Sequence, residues 1–380
     1  MKRIFALILA LYLVLLCGCS PEAPDESIPE TTPTTDPTTS NTTSTQPSET
    51  QAPSTGSTEL TGTYNPLTGE KMESAANLRP FAVVLNNTKK DLPQYGAGAA
   101  DILYEALIEG ETRMLGIFYD PVASGAETLG MIRSARYYFI QIAQSYDAIY
   151  VHNGGSRDPE IGGYNYFEKT GWNHMDAITT GGGKDYFYSP TNNMSGPVHI
   201  RPQGMVALAE KLKFETTRKE PLDLGLKFDD DTVIIGKPAN TVKAWFNFSG
   251  TPSEKWTKST TLTYNAEDKL YYASQYGSDY VDGNTGETVS FRNVLVLRTA
   301  ISQKAGTAAN TADLLLYVKT TGSGTGYFVC NGQAVEINWS RESVTDPFQY
   351  TLASNGEPVT FGVGKTYVAI VPEKATVEIG

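Results

Sequence analysis

Arg133 and Arg136 stand three apart in Gly130-Met131-Ile132-Arg133-Ser134-Ala135-Arg136, at the head of a run with helical apolar spacing. Residues three apart on a helix share a face. A helix N-terminus adds unpaired N–H groups and the positive end of the dipole. Two guanidiniums there run against that dipole, so a carboxylate or an anionic ligand must compensate. Glu105, Glu109 and Glu111 lie upstream, and Arg113 adds a third cation. These residues suit either a buried Arg–Glu network holding helix to sheet or a pocket for a carboxylate or phosphate.

A second group is His152-Asn153-Gly154-Gly155-Ser156, a histidine at a predicted strand end followed by a flexible polar loop. Strand ends in layered α/β units are common ligand positions. Asp147, His152 and Ser156 or Ser134 have the side-chain types of a nucleophilic triad. The elbow motif Gly-x-Ser-x-Gly fails, because Asp158 stands where its last glycine belongs. Other motifs are weaker. Gly181-Gly182-Gly183-Lys184-Asp185 lacks the spacing and the Ser/Thr of a P-loop. His152, His174 and His199 show no HExxH spacing, and no CxxC is present, so no metal site and no cofactor are expected. Asp282-Gly283-Asn284-Thr285-Gly286-Glu287 reads as a hairpin turn rather than a calcium loop, whose ligand series it truncates.

The elements that must position these groups follow from periodicity. Phe81-Ala82-Val83-Val84-Leu85 is a buried-strand run. The runs 102–109 and 113–119, joined at Gly110-Glu111, read as a hairpin. Ile132, Ala135, Phe139, Ile142 and Ala143 predict an amphipathic helix over 132–145, and a second helix is expected over 203–212. A short strand spans 148–152. Beyond about 225 only strand-like runs are found, Val233-Ile234-Ile235 and Val242 to Phe246 among them, separated by Gly, Asn and Asp turns. The expected fold class is α/β (α+β): a layered first domain of mixed sheet and helix over 64–225, then a mainly β second domain over 226–380.

Upstream of the fold, Lys2 and Arg3 precede an apolar run of about thirteen residues that ends in Leu16-Cys17-Gly18-Cys19. The run is too short to span a bilayer, which takes about 20 residues. It reads as a signal peptide over 1–18 with a lipobox, cleaved before a lipidated Cys19. Residues 19–63 continue as a Thr/Ser/Pro tether with no apolar periodicity, expected to be disordered. Some 40 such residues have a mean span of about 35 Å. Two acyl chains on Cys19 would meet the requirement for stable anchoring. The expected address is the extracytoplasmic face of the cell membrane.

Composition narrows the partners. Thirty Lys and Arg face 42 Asp and Glu, a formal net charge of −12, and removal of Lys2 and Arg3 makes the chain more acidic still. An acidic surface repels phosphate backbones and anionic lipid heads, so no nucleic-acid role is expected and attachment falls to the lipid. Of three cysteines, Cys17 leaves with the leader and Cys19 is lipidated, so Cys330 has no disulfide partner and reads as a core residue.

Several ordered motifs resemble the YerB-like lipoproteins. They are Arg79-Pro80-Phe81-Ala82-Val83, Pro93-Gln94, Ala100-Asp101-Ile102, Glu109-Gly110-Glu111-Thr112-Arg113, the 130–136 segment and Asp147 to Ser156. In the C-terminal stretch they include Asn293-Val294, Gly322-Ser323-Gly324, Asn331-Gly332, Trp339 and Gly364-Lys365-Thr366. The family's usual Pro-His-Asn step has its nearest match here in Pro197-Val198-His199. The resemblance implies an envelope lipoprotein with a two-part fold and supplies no mechanism. The reading is a cell-envelope binding or scaffolding module for a wall component or an envelope protein, with Arg113, Arg133, Ser134, Arg136, His152, Asn153, Ser156, Glu105 and Glu109 as candidate cleft residues. The alternative is an envelope-polymer hydrolase or transferase with His152 as general base and Arg133 and Arg136 holding an anionic substrate.

Overall fold

The structure is a computed structural model that describes residues 63–73, 77–108, 110–180, 183–191, 196–248, 258–304 and 315–380. The leader, Cys19, the tether to residue 62 and Glu109 lie outside the described residues. In chain order the first half contains strands β1 (Phe81–Leu85), β2 (Ile102–Leu107), β3 (Thr112–Phe118) and β4 (Leu129–Ile132), then helix α1 (Tyr137–Ser145) and strand β5 (Ile149–His152). Helix α2 (Gly163–Thr170), strands β6 (His174–Asp176), β7 (Phe187–Tyr188) and β8 (Val198–Ile200), and helix α3 (Pro202–Lys211) complete it. Among the described residues no α-helix follows α3, so strand predominates in a mixed α+β architecture.

β2 and β3 form the expected hairpin, with Ile102 opposite Ile117 and Leu107 opposite Thr112. The expected boundary at 225/226 lies inside one compact unit, which covers 56–380. The join is a parallel pairing of β2 with Thr366–Pro372, from Ile102 opposite Thr366 to Ala106 opposite Ile370. Thr366–Pro372 also pairs in parallel with Asn293–Thr299, which continues to Gly322–Cys330 and Gln333–Arg341. On the other side the sheet runs β2, β3, β1, β4, β8, β7, with β5 beside β1 and β6 beside β5. β1, β2 and β3 are buried along their whole length, as strands covered on both faces must be.

The covers differ, and alternation along β2 sends neighbouring side chains to them. Tyr104 meets Tyr146 just beyond α1, hydroxyl to hydroxyl at 2.7 Å. Glu105 points the other way, to Thr260 of a second sheet. That sheet runs Ser278–Asp279, Leu270–Gln275, Ser259–Asn265, Thr241–Trp245, Val377–Ile379. Two of its strands alternate buried and half-buried positions, as expected with one face packed more closely than the other.

Two local expectations are corrected, and one helix goes beyond them. The helix expected over 132–145 begins at Tyr137. Ile132 ends β4, and residues 133–135 stay extended because Arg133 N–H donates to the Val84 carbonyl and Ala135 N–H to that of Gly154. Val233-Ile234-Ile235 is an exposed loop rather than a strand, with Val233 82% and Ile235 92% exposed. α2 was not anticipated; only Gly163 and Phe167 on it are buried, too few to set a period.

Candidate functional site

Glu105 is fully buried in β2 with all its acceptor capacity in use. Oε1 accepts from Thr112 Oγ1 at 2.6 Å and Asn87 Nδ2 at 2.9 Å; Oε2 accepts from Tyr367 OH at 2.6 Å and Thr260 Oγ1 at 2.7 Å. Its ionic partner is Lys258, with Nζ 3.1 Å from Oε1. Lys258 also donates to Gln275 Oε1 at 2.6 Å and Thr260 Oγ1 at 3.0 Å. Burial lowers the Lys258 ammonium's pKa against the pull of Glu105. Within the Arg–Glu network expected from sequence, Glu105 pairs instead with Lys258 and joins the two sheets; Glu109 lies outside the described residues. Sequence reasoning missed Lys258, which carries no motif and stands 153 positions after Glu105.

The three arginines serve other partners. Arg133 and Arg136 precede α1 and do not share a helix face; Arg136 is its N-cap residue, in extended conformation. Arg133 Nη2 pairs with Asp91 Oδ2 at 3.1 Å. Arg113 and Arg136 both donate to the Ser134 carbonyl, at 2.9 and 3.4 Å, and Arg136 donates to that of Ala135 at 2.9 Å. Asn153 N–H donates to the Arg133 carbonyl at 3.0 Å. Arg113, Arg133, Ser134, Arg136 and Asn153 therefore do meet around one extended segment. Among the described contacts, Arg133 pairs with Asp91, Arg113 and Arg136 donate to backbone carbonyls, and Glu105 takes none of the three.

His152 is fully buried. Nδ1 lies 2.8 Å from the Gly154 carbonyl, which can only accept, so Nδ1 carries the proton. Nε2 then accepts from His174 Nδ1 at 2.9 Å. Asp176 Oδ1 is 3.9 Å from His152 Nδ1 and binds the N–H of Gly154 and Ile178. The Phe167 ring stacks on His174 at 3.8 Å. Asp147, the imagined orienting acid, pairs with Arg79 and Arg218, and Ser156 Oγ accepts from Asp158 N–H. Among the described residues no hydrogen bond joins His152 to Asp147, Ser134 or Ser156. The geometry assembles neither a triad nor a base open to substrate.

This cluster sets a pH response. Burial pushes His174 down to about 4 and lowers His152 too. The unfolded chain, with histidines near 6.5, binds more protons between those values. Stability from this cluster is therefore complete above about pH 6.5 and drains as the pH falls toward 4. Melting temperatures from pH 8 to 5 should decline, and His174→Gln should flatten the decline below pH 6.5. An unchanged slope in that variant would remove the assignment.

The open site lies elsewhere. A cleft of about 530 Å³ has Lys90, Asp91, Pro93, Tyr95, Met131 and His199 among its lining. Sheet pairing builds its floor: Gly130 of β4 lies opposite His199 of β8, Tyr188 of β7 lies on the far side of His199, and Tyr95 exchanges backbone hydrogen bonds with Gly130. The His199 ring stacks on Tyr188 at 5.6 Å and meets Tyr95 edge-on at 5.2 Å. It is 4% exposed, and its buried Nδ1 has no hydrogen-bond partner among the described residues. Gly130 leaves room for it: a Cβ there would sit 2.6 Å from Nδ1 and 3.0 Å from the Val198 carbonyl oxygen. Gly130→Ala should cost about 1–3 kcal/mol, the usual range for overpacking, measurable as a lower urea midpoint; an unchanged midpoint would mean the ring is not held there. The 282–287 segment borders the cleft as the expected turn, Asp282 N–H donating to the Glu287 carbonyl and Asp282 Oδ1 accepting from Asn284 N–H. Of the sequence candidates, Arg133 reaches this cleft, through Asp91. Sequence reasoning named His199 only as the nearest match to a family step, and its pairing with Gly130 and Tyr95 is tertiary.

A single unit of 56–380 with strands from both halves interleaved, and a mixed-polarity cleft at one edge of its large sheet, defines an α+β protein with two sequence halves. Residues 67–215 match the model described as "Protein of unknown function (DUF3048) N-terminal domain", and residues 252–368 match the corresponding C-terminal domain. The chain belongs to this YerB-like family. It is 29% identical over 314 residues, 81% of this chain and 86% of the relative, to a Bacillus subtilis (strain 168) protein named "Putative lipoprotein YerB". The crystal structure of YerB protein from Bacillus subtilis is similar with a TM-score of 0.66 at 24% identity, over 83% of this chain and 99% of that one.

Proposed function

We propose that this chain is a lipoprotein of the cell envelope, held by a diacylglycerol on Cys19 at the extracytoplasmic face of the membrane, and that it binds a wall component without chemical turnover. The lipobox Leu16-Cys17-Gly18-Cys19 and the name of its Bacillus relative support the anchor. The tether over 19–63 would carry the folded body into the wall layer. The observation that carries binding over catalysis is the cleft. Its charged groups include the Asp91 end of an ion pair, and among the described residues no acid or nucleophile is hydrogen-bonded to its histidine.

Fractionation and cosedimentation test this. Wild type should sit in the membrane fraction, and Cys19→Ser should leave it almost entirely, because a single missing acceptor removes both acyl chains. The lipidated protein in detergent should cosediment with purified wall sacculi. Recovery of wild type in the cytosol would defeat the address, and its failure to pellet with sacculi would defeat the wall-binding role.

A further inference from the structure

We propose that Lys258 and Asn87 join in an isopeptide bond, with Glu105 carrying the proton, which ties the two sheets together covalently. The reacting groups gather at one oxygen. Glu105 Oε1 is 3.1 Å from Lys258 Nζ and 2.9 Å from Asn87 Nδ2. Tyr276 touches the same two residues: its hydroxyl donates to the Asn87 carbonyl at 2.7 Å, and Lys258 Nζ lies 4.7 Å from its ring centre. Asn87 and Glu105 are fully buried and Lys258 is 7% exposed. Holding an amine, a carboxamide and a carboxylate together away from water replaces the collision that amide exchange otherwise requires. Burial also lowers the Lys258 pKa, which favours the neutral amine that attacks. Asn87 follows β1 of the large sheet and Lys258 precedes Ser259–Asn265 of the second, so the bond crosses between them. Cys330 is free, so no disulfide does this among the described residues.

The step balances without an oxidant, a reductant or a metal. The Lys258 ammonium passes one proton to Glu105 Oε1, and Nζ attacks Asn87 Cγ. A second Nζ proton moves through Oε1 to Nδ2. The Nζ–Cγ bond forms, the Cγ–Nδ2 bond breaks, and ammonia leaves. Glu105 keeps the first proton, so a buried charge pair becomes two neutral groups and its desolvation cost is removed. Asn87 Oδ1 is buried and has no hydrogen-bond partner among the described residues. It becomes the carbonyl oxygen of the new amide, and protonated Glu105 offers the donor it lacks. Gln275 is the rival amide, with Oε1 2.6 Å from Nζ. That hydrogen bond approaches the oxygen rather than the carbon. Gln275 Nε2 also has no partner among the described residues to protonate it as it leaves, whereas Asn87 Nδ2 has Glu105.

A tryptic map of the full lipidated chain, extracted from membranes in detergent, tests this. Trypsin cuts after a free lysine and not after one in amide linkage. Wild type should lose cleavage at Lys258 almost completely. It should yield one branched peptide joining the Asn87 and Lys258 segments, lighter than the two together by one ammonia. Asn87→Ala should restore cleavage at Lys258 and migrate more slowly in denaturing gels, because a cross-link constrains the unfolded chain. Glu105→Gln keeps the shape and removes the base. It should slow joining by about 10²–10⁴-fold, the usual worth of a positioned acid–base group, so freshly synthesised chain should show the two peptides separate. Full cleavage at Lys258 in folded wild type would overturn the proposal without any variant. A branch to Gln275 would overturn the choice of Asn87, and joining at the wild-type rate in Glu105→Gln would overturn the role of Glu105.

Discussion

Glu105→Ala should destabilise the protein by about 3–5 kcal/mol, the usual cost of leaving one charge of a buried pair uncompensated. Lys258 would keep its ammonium at 7% exposure with the Gln275 and Thr260 oxygens but no counter-charge. Thr112, Asn87, Tyr367 and Thr260 would all lose an acceptor. Against a total stability of about 5–15 kcal/mol for an ordinary domain, that is a large fraction. Because Glu105 joins β2 to the second sheet, Trp172 in the first half and Trp339 in the second should report one coincident urea transition at a lower midpoint. Lys258→Met alone should also destabilise, while the double variant Glu105→Leu, Lys258→Met should regain part of the loss, since a packed apolar pair carries no desolvation cost. A loss under about 1 kcal/mol in Glu105→Ala, or two separate transitions, would show that the pair does not couple the sheets.

Arg341→Ala is the second large effect. Arg341 is 1% exposed and has no acidic partner among the described residues. Its guanidinium donates to four backbone carbonyls: Thr320 at 3.2 Å, Asp346 at 3.0 Å, and those of Gln141 in α1 and Val344. Phe348 lies beneath it, 4.8 Å from the ring centre. Arginine suits this place because its fork presents five N–H groups in fixed geometry and stays charged under desolvation. Truncation leaves several carbonyls unpaired and a void, so about 3–5 kcal/mol should be lost. Arg341→Lys should recover little, since one ammonium cannot reach donors spread over α1, the 320 turn and the 342–346 loop. Thermal or urea unfolding measures it. Near-wild-type stability in Arg341→Lys would mean that charge alone, not the fork, is needed.

Much of the fold was legible because it is local. The β2–β3 hairpin follows from two apolar runs flanking Gly110, whose φ of 95° suits glycine alone. α3 begins at Pro202, within a residue of the expected start, where proline is pre-set for a first turn. The 132–145 helix was half right. Its apolar spacing from Phe139 onward is real, but Ile132 and Ala135 fit the same template by chance, and hydrogen bonds from β1 and the 154 loop hold 133–135 extended.

The candidate site was legible only as residue types. Arg133, Ser134, Arg136 and Asn153 do gather, since they are close in sequence. Glu105 leaves that group because a strand sends alternate side chains to opposite faces, and the face it takes is covered by Thr260, 155 residues away. His152 was readable as a polar residue at a strand end. Its burial against His174, Phe167 and Asp176 depends on α2 and β6 folding over it.

Local chain chemistry thus dictated the strands, the hairpin, the last helix of the first half and membership of the family, because each is written in neighbouring residues or in ordered motifs. Folding in three dimensions chose Lys258 as the partner of Glu105, turned Arg113 and Arg136 toward backbone carbonyls and Arg133 toward Asp91, and set the buried Nδ1 of His199 over Gly130. Those choices depend on which distant surfaces meet and what each leaves unsatisfied, and no short window of residues contains that information.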